Sequence, residues 1–249
     1  MRPLSFALFI LAATATATAA PVAAQEWSGN ATVYGWFPAI EGNQEGPDGQ
    51  PIVDVTAEDL LEALNFAFFA TGEARRDRWG LYFDFAYVDL GSDAEAKPPF
   101  TANASVDTSI WFLTAAGTWR LRGDTENFID AYGGLRYYSV GLDFDVSALN
   151  DHVQRSISAD ANWFDPVLGI KARYPFNDRW SIYGFGDVGG FGIDGSSDLT
   201  WQAYTGVNYA FTEKIAGNLG YRYMSIDYDD EIKLDVDIYG PVLGVTWRF

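Results

Sequence analysis

The chain holds a single histidine, His152, and no cysteine. Hydrolytic chemistry of the triad kind needs a histidine beside a carboxylate and a hydroxyl. Asp151 and Ser156 are the nearest such groups along the chain. Triad geometry is spatial, and three neighbours in sequence read first as part of a solvent-exposed loop. One histidine without cysteine leaves no thiolate or histidine-rich metal site. The closely spaced glycines of 186–192 (GDVGGFG) fall in an extended apolar stretch with no helix following, unlike a dinucleotide-binding loop. Neither a catalytic residue, a cofactor nor a bound metal is expected. The balance of 34 acidic against 16 basic residues argues against nucleic acid as a partner.

The more informative ionisable residues are those that alternate with apolar ones. Period-two patterning places Glu73, Asp84, Asp130, Asp165 and Asp187 on the same inner face as Arg75, Arg120, Arg136, Lys171, Arg173 and Arg222. Charges of both signs on a closed inner face are tolerated only when paired. The expectation is therefore an internal ion-pair network filling a narrow lumen, with a charge-lined conduit as the alternative.

Ten extended segments must carry these residues: 27–38, 66–75, 79–90, 105–121, 128–144, 153–174, 180–193, 199–211, 215–227 and 233–249. Short turns alternate with longer connections. In the eighth segment Leu199, Trp201, Ala203, Val207, Tyr209 and Phe211 share one face, and Thr200, Gln202, Tyr204 and Asn208 the other. A fully apolar face opposite a polar one suits a sheet between lipid and a polar interior. The sixth segment is expected to change phase near Trp163 and Phe164, as a β-bulge would make it do. The predicted fold is an all-β, transmembrane, antiparallel up-and-down β-barrel, most simply of ten strands. Eight is the alternative if weaker segments such as the glycine-rich seventh do not pair. A soluble β-sandwich would alternate too, but the two chain ends favour the barrel.

Residues 1–24 read as a signal peptide: Arg2, a short apolar run from Leu4 to Leu11, then small residues ending Val22-Ala23-Ala24. The mature chain, 25–249, would be one domain beginning at Gln25. No other segment approaches the ~20 apolar residues of a membrane helix. The other end alternates Leu243, Val245, Trp247 and a terminal Phe249 with Gly244, Thr246 and Arg248. That pattern looks like the insertion signal of bacterial outer-membrane barrels. Barrel-assembly machinery and periplasmic chaperones are then expected partners during biogenesis.

Charge sorts the two ends of the expected barrel. Arg75, Arg76, Arg78, Arg120, Arg122, Lys171, Arg173, Arg179, Lys214 and Arg248 lie at or near the short turns. The long connections are acidic, one with Glu41, Glu45, Asp48, Asp54, Glu58, Asp59 and Glu62, the last with Asp227, Asp229, Asp230 and Glu231. An even strand number places both termini with the short turns, on the periplasmic side. The acidic loops would face outward among outer-membrane lipid and lipopolysaccharide, where carboxylates suit divalent cations such as Ca²⁺. Within the first long connection, 56–64 (TAEDLLEAL) is the one convincing helix, with Thr56 and Asp59 forming an approximate capping box. Nine residues make a weak helix alone. Leu60, Leu61 and Leu64 are therefore expected to dock on the barrel mouth against inward aromatics such as Phe69, as a lid.

The stretches DLLEALNFAF (59–68), WFDPVLGIKARY (163–174), GDVGGFGI (186–193), LTWQAYTGVNYAF (199–211), GYRYMSIDYDD (220–230) and GPVLGVTWRF (240–249) resemble a family of uncharacterised proteobacterial outer-membrane β-barrel proteins. The resemblance covers most of the mature chain. It implies fold and compartment and no reaction. Two functions of different class follow: a non-enzymatic barrel, either structural in the envelope or a narrow small-solute channel, and an outer-membrane enzyme, acting on outer-leaflet lipid as a lipid A acylase or deacylase does, or on protein.

Overall fold

Exposed apolar side chains form a continuous belt on the outside of the molecule. The belt exists because ten strands close on themselves and leave only one face to each side. A computed structural model describes residues 27–43, 54–95, 102–148, 153–230 and 233–249. The expected leader lies outside the described residues, as do Asp151 and His152. The elements are β1 (Ser28–Trp36), β2 (Ala39–Gly42), β3 (Asp54–Val55), α1 (Ala57–Glu62), β4 (Leu64–Arg76), β5 (Trp79–Glu95), β6 (Ala102–Gly123), β7 (Phe128–Ala148), β8 (Val153–Pro175), β9 (Trp180–Gly189), β10 (Leu199–Ala210), β11 (Ile215–Asp229) and β12 (Lys233–Arg248).

Strands β1 and β4 to β12 form the barrel, each antiparallel to its neighbours, and β12 pairs back onto β1 from Asn30↔Arg248 to Trp36↔Val242. Closure removes the sheet edges, so the barrel backbone is hydrogen-bonded without water, as a bilayer requires. The short strands β2 and β3 continue from β1 and add to the upper part of β12. Both described chain ends lie with the short turns: Gly29 and Phe249 exchange backbone hydrogen bonds of 2.8 and 3.0 Å.

Two rings of aromatic residues bound the belt. Near the short turns Trp79 meets Trp119 at 4.3 Å, Trp180 meets Tyr209 at 4.8 Å and Trp247 meets Phe249 at 5.3 Å. Toward the long connections, Tyr137 meets Trp111 at 4.8 Å and Phe164 at 4.7 Å, and Trp201 meets Tyr223 at 4.8 Å. Both rings pass through β6, at Trp119 and Trp111. At about 3.4 Å per residue they stand roughly 27 Å apart along the strand. A tilt of about 40° makes that roughly 20 Å across the membrane, close to the apolar band of outer-membrane barrels. Leu81, Leu168, Ile170 and Leu243 between them are exposed to the outside. Past the upper ring, β6, β7 and β8 run on as a tall wall.

Two expectations about the strands need correction. The seventh segment ends at Gly189, not Ile193. Gly190 has φ +77°, a left-handed backbone that glycine adopts without Cβ strain, and the chain leaves the sheet there. The sixth segment has no bulge: β8 pairs with β7 in unbroken register from Val153 to Arg173. Trp163 is buried inside while Phe164 faces out, because this tryptophan belongs to the lumen and not to the lipid belt. The irregularities lie in β6, between Arg120 and Arg122, and in β4, between Leu64 and Phe66.

Candidate functional site

The inward face of every barrel strand meets its neighbours in the lumen. The lumen is layered from the long-connection end to the short-turn end. The upper layer is aromatic. Trp163 lies stacked between Tyr138 at 4.8 Å and Tyr228 at 4.2 Å, and Phe112, Met224 and Ile226 are buried beside them. The loop 190–198 reaches this stack through one side chain. Its Ser197 is buried, donates its backbone N–H to Asp165 Oδ1 at 2.8 Å and accepts from Trp163 Nε1 at 2.9 Å.

The middle layer is a hydrogen-bonded chain across the lumen. Arg222 Nη2 pairs with Asp84 Oδ2 at 2.7 Å. Tyr34 Oη donates to Asp84 Oδ1 at 2.8 Å and accepts from Arg222 Nη1 at 2.9 Å. Arg222 Nε donates to Gln202 Oε1 at 3.0 Å, and Gln202 Nε2 donates to Asp187 Oδ2 at 2.7 Å. Asp187 also accepts from Tyr132 Oη at 2.6 Å and pairs with Arg136 at 2.9 Å. Arg136 Nε ends the chain on Thr114 Oγ1 at 2.8 Å. The Arg222 guanidinium lies 5.0 Å from the Trp36 ring and 5.2 Å from that of Phe112, so π-faces complete its environment.

A lower cluster holds the remaining charges. Asp130 accepts from Arg75 at 2.6 Å and from Arg120, and Glu73 binds Arg75 at 2.6 Å and Lys171. Lys171 Nζ also sits 4.9 Å from the Tyr82 ring. Arg173 pairs with Glu126 at 3.0 Å and donates to Ser181 at 3.1 Å.

All eleven expected lumen residues therefore face inward, and ten of them share ion pairs. Asp165 does not. Its strand neighbour Arg136 turns to Asp187, leaving Asp165 to Ser197, and Asp165 Oδ2 and Arg136 Nη1 have no protein hydrogen-bond partner. Sequence reasoning passed over Tyr34, Tyr132, Glu126 and Ser197. The first two are in phase on their strands and could have been found by alternation. Ser197 lies in a loop, where no periodicity operates.

The expected lid is also corrected. The capping box of α1 is present: Asp59 N–H donates to Thr56 Oγ1 at 3.2 Å and Thr56 N–H to Asp59 Oδ2 at 3.0 Å. The Thr56 hydroxyl, which donates to Asp59 Oδ2 at 2.6 Å, and the Thr56 N–H together hold the exposed Asp59 carboxyl below its ordinary value. The helix ends at Glu62, however, and none of its residues is buried. Leu61 is 51% exposed and Leu64, now opening β4, 36%. The leucines do not seat on Phe69, which packs against Tyr34 at 5.4 Å instead. Ser197 of the loop 190–198, and not a leucine of α1, reaches the upper lumen. Elsewhere, Ser156 donates to Asp145. No three acidic, histidine or cysteine side chains converge as metal ligands among the described residues.

Residues 77–249 match the model of the outer membrane protein beta-barrel domain. The chain belongs to that family. It is an outer-membrane β-barrel protein. No curated protein matches it. Among solved structures it is similar to the outer membrane protease OmpT from Escherichia coli, at 9% identity and a TM-score of 0.54, covering 90% of this chain and 96% of that one. It is also similar to the translocator domain of the autotransporter NalP from Neisseria meningitidis, at 14% identity and a TM-score of 0.48, covering 90% and 88%. The attachment invasion locus protein Ail of Yersinia pestis matches at 15% identity and a TM-score of 0.41, covering 90% and 98%. At these identities the likeness is one of fold.

Proposed function

We propose that this protein is a non-enzymatic outer-membrane barrel with a sealed lumen, contributing to envelope structure instead of passing solutes. The supporting observation is the unbroken chain Asp84–Arg222–Gln202–Asp187–Arg136, lying directly beneath the Tyr138–Trp163–Tyr228 stack. Hydrated ions would have to break paired, buried charges and then cross a dry aromatic layer. In this reading the short turns and both termini face the periplasm, and the acidic loops face outward among lipopolysaccharide, with divalent cations as bridges. The barrel-assembly machinery and periplasmic chaperones are its partners in biogenesis.

The refolded barrel in planar bilayers is expected to give no steady conductance. A stable open channel in the wild-type protein would overturn the sealed lumen. Cleavage of a peptide or modification of lipid A by the purified barrel, abolished by His152→Ala, would replace the non-enzymatic reading.

A further inference from the structure

The lower lumen contains space as well as charge. A cavity of about 470 Å³ opens at the short-turn end and reaches inward to Arg222. Its size is within the range of small-molecule sites, roughly 300–1,000 Å³.

Cations outnumber carboxylates around it. Arg75, Arg120 and Lys171 face Glu73 and Asp130, while Arg173, Arg248 and Lys214 at the mouth face Glu126 and Glu213. Each group has three cations against two acids, in a chain whose formal net charge is −18. At the mouth, one carboxylate serves two guanidinium groups: Glu126 lies 3.0 Å from Arg173 and 3.6 Å from Arg248. Lys214 makes no ion pair among the described residues.

Glu126 is poorly fixed in that position. Its side chain is 54% exposed, and ion pairs in contact with water are weak. The turn that carries it is held by Asp124, whose Oδ1 accepts the N–H of Glu126 at 2.8 Å and of Asn127 at 2.9 Å. The Glu126 carboxylate can therefore swing away without loosening the turn.

The walls differ in chemistry. On one side Phe185 stacks on Tyr204 at 5.4 Å, with Tyr183 6.0 Å from Tyr204. The hydroxyls of Tyr183 and Tyr204 make no hydrogen bond to the described residues. On the other side Thr32, Asn218 and Thr246 are already bonded to one another.

We infer that this cavity binds a small organic anion with a flat apolar body. Its anionic head displaces the Glu126 carboxylate from Arg173 and Arg248, and its ring lies against Tyr183, Phe185 and Tyr204. Bidentate guanidinium groups favour carboxylate and phosphate heads alike. In the orientation proposed above, the ligand enters from the periplasm.

The test uses the full mature barrel in zwitterionic lipid nanodiscs, with para-trifluoromethylbenzoate as probe and its uncharged benzamide as control, followed by fluorine NMR. One-site saturable binding of the benzoate is expected, about tenfold or more above the benzamide, the scale of a charge-assisted hydrogen bond. The double variant R173Q/R248Q, checked for heat-modifiable mobility, should lose about tenfold or more of that affinity. E126Q should bind several-fold more tightly, because the competing internal carboxylate is gone; misfolding cannot imitate such a gain. Absence of saturable benzoate binding, equal binding of the benzamide, or weaker binding by E126Q would each overturn the site. Conductance is a separate readout: a conducting barrel that still bound the probe would defeat the sealed lumen and uphold this site.

Discussion

Arg222 ties four strands together by one side chain. From β11 it reaches Asp84 on β5, Tyr34 on β1 and Gln202 on β10. Both it and Asp84 are removed from water, so truncating one strands the other. Arg222→Ala is expected to cost about 3–5 kcal/mol, as broken buried pairs do. The double change Arg222→Met with Asp84→Leu should cost clearly less, because no lone charge remains. Urea unfolding from lipid vesicles would measure both, and equal losses would mean that the pairing contributes little. The inward position of Arg222 could be read from its alternation with Tyr221 and Tyr223. Its choice of Asp84, far away in sequence, could not.

Among elements, α1 and β12 show what local sequence controls. The reciprocal Thr56 and Asp59 bonds define the start of α1. Because the folded carboxyl of Asp59 titrates below the ordinary value of 3.8, its contribution is fully present above that value. It fades as pH falls through the lowered one. A carbon-13 titration of Asp59 should show a midpoint under 3.8 that rises part of the way back in Thr56→Ala, which removes the hydroxyl donor and keeps the backbone N–H of residue 56. At the other end of the chain, β12 pairs with both β11 and β1 and so closes the barrel. Phe249 packs on Trp247 in the short-turn ring and exchanges backbone bonds with Gly29. Phe249→Asp places a charge in that ring and is expected to leave the protein periplasmic or degraded. Normal amounts of heat-modifiable barrel in outer-membrane fractions would contradict this.

For the whole molecule, what matters is which parts cover the lumen. The aromatic stack and Ser197 stand over the charged layer, while no leucine of α1 is buried and Leu61 is exposed. Replacing Leu60, Leu61 and Leu64 by Ser is therefore expected to leave planar-bilayer conductance at the wild-type level. A rise in conductance would instead mean that α1 acts as a gate. The layered filling also bears on stability: a small barrel has an interior only wide enough for side chains. Here the upper layer is filled with rings and the middle with paired charges, while the short-turn end holds a cavity.

The sequence by itself determined the barrel, favoured ten strands over eight and pointed the eleven alternating lumen charges inward. Alternation has a period of two, and each strand has only two faces to assign. The capping box of α1 was legible because it is contained within four residues. Partner choice within the lumen was decided only by the tertiary structure, because it depends on strand register and closure across residues far apart in sequence. Arg136 could have faced Asp165 on the adjacent strand, and closure gave it Asp187 instead. Trp163 could have joined the lipid belt, and unbroken register turned it inward. The loop at Ser197 was equally invisible, since the left-handed backbone at Gly190 redirects the chain where alternation stops carrying information. The two guanidinium groups that share Glu126 come from β8 and β12, and only the closed barrel brings them to one mouth.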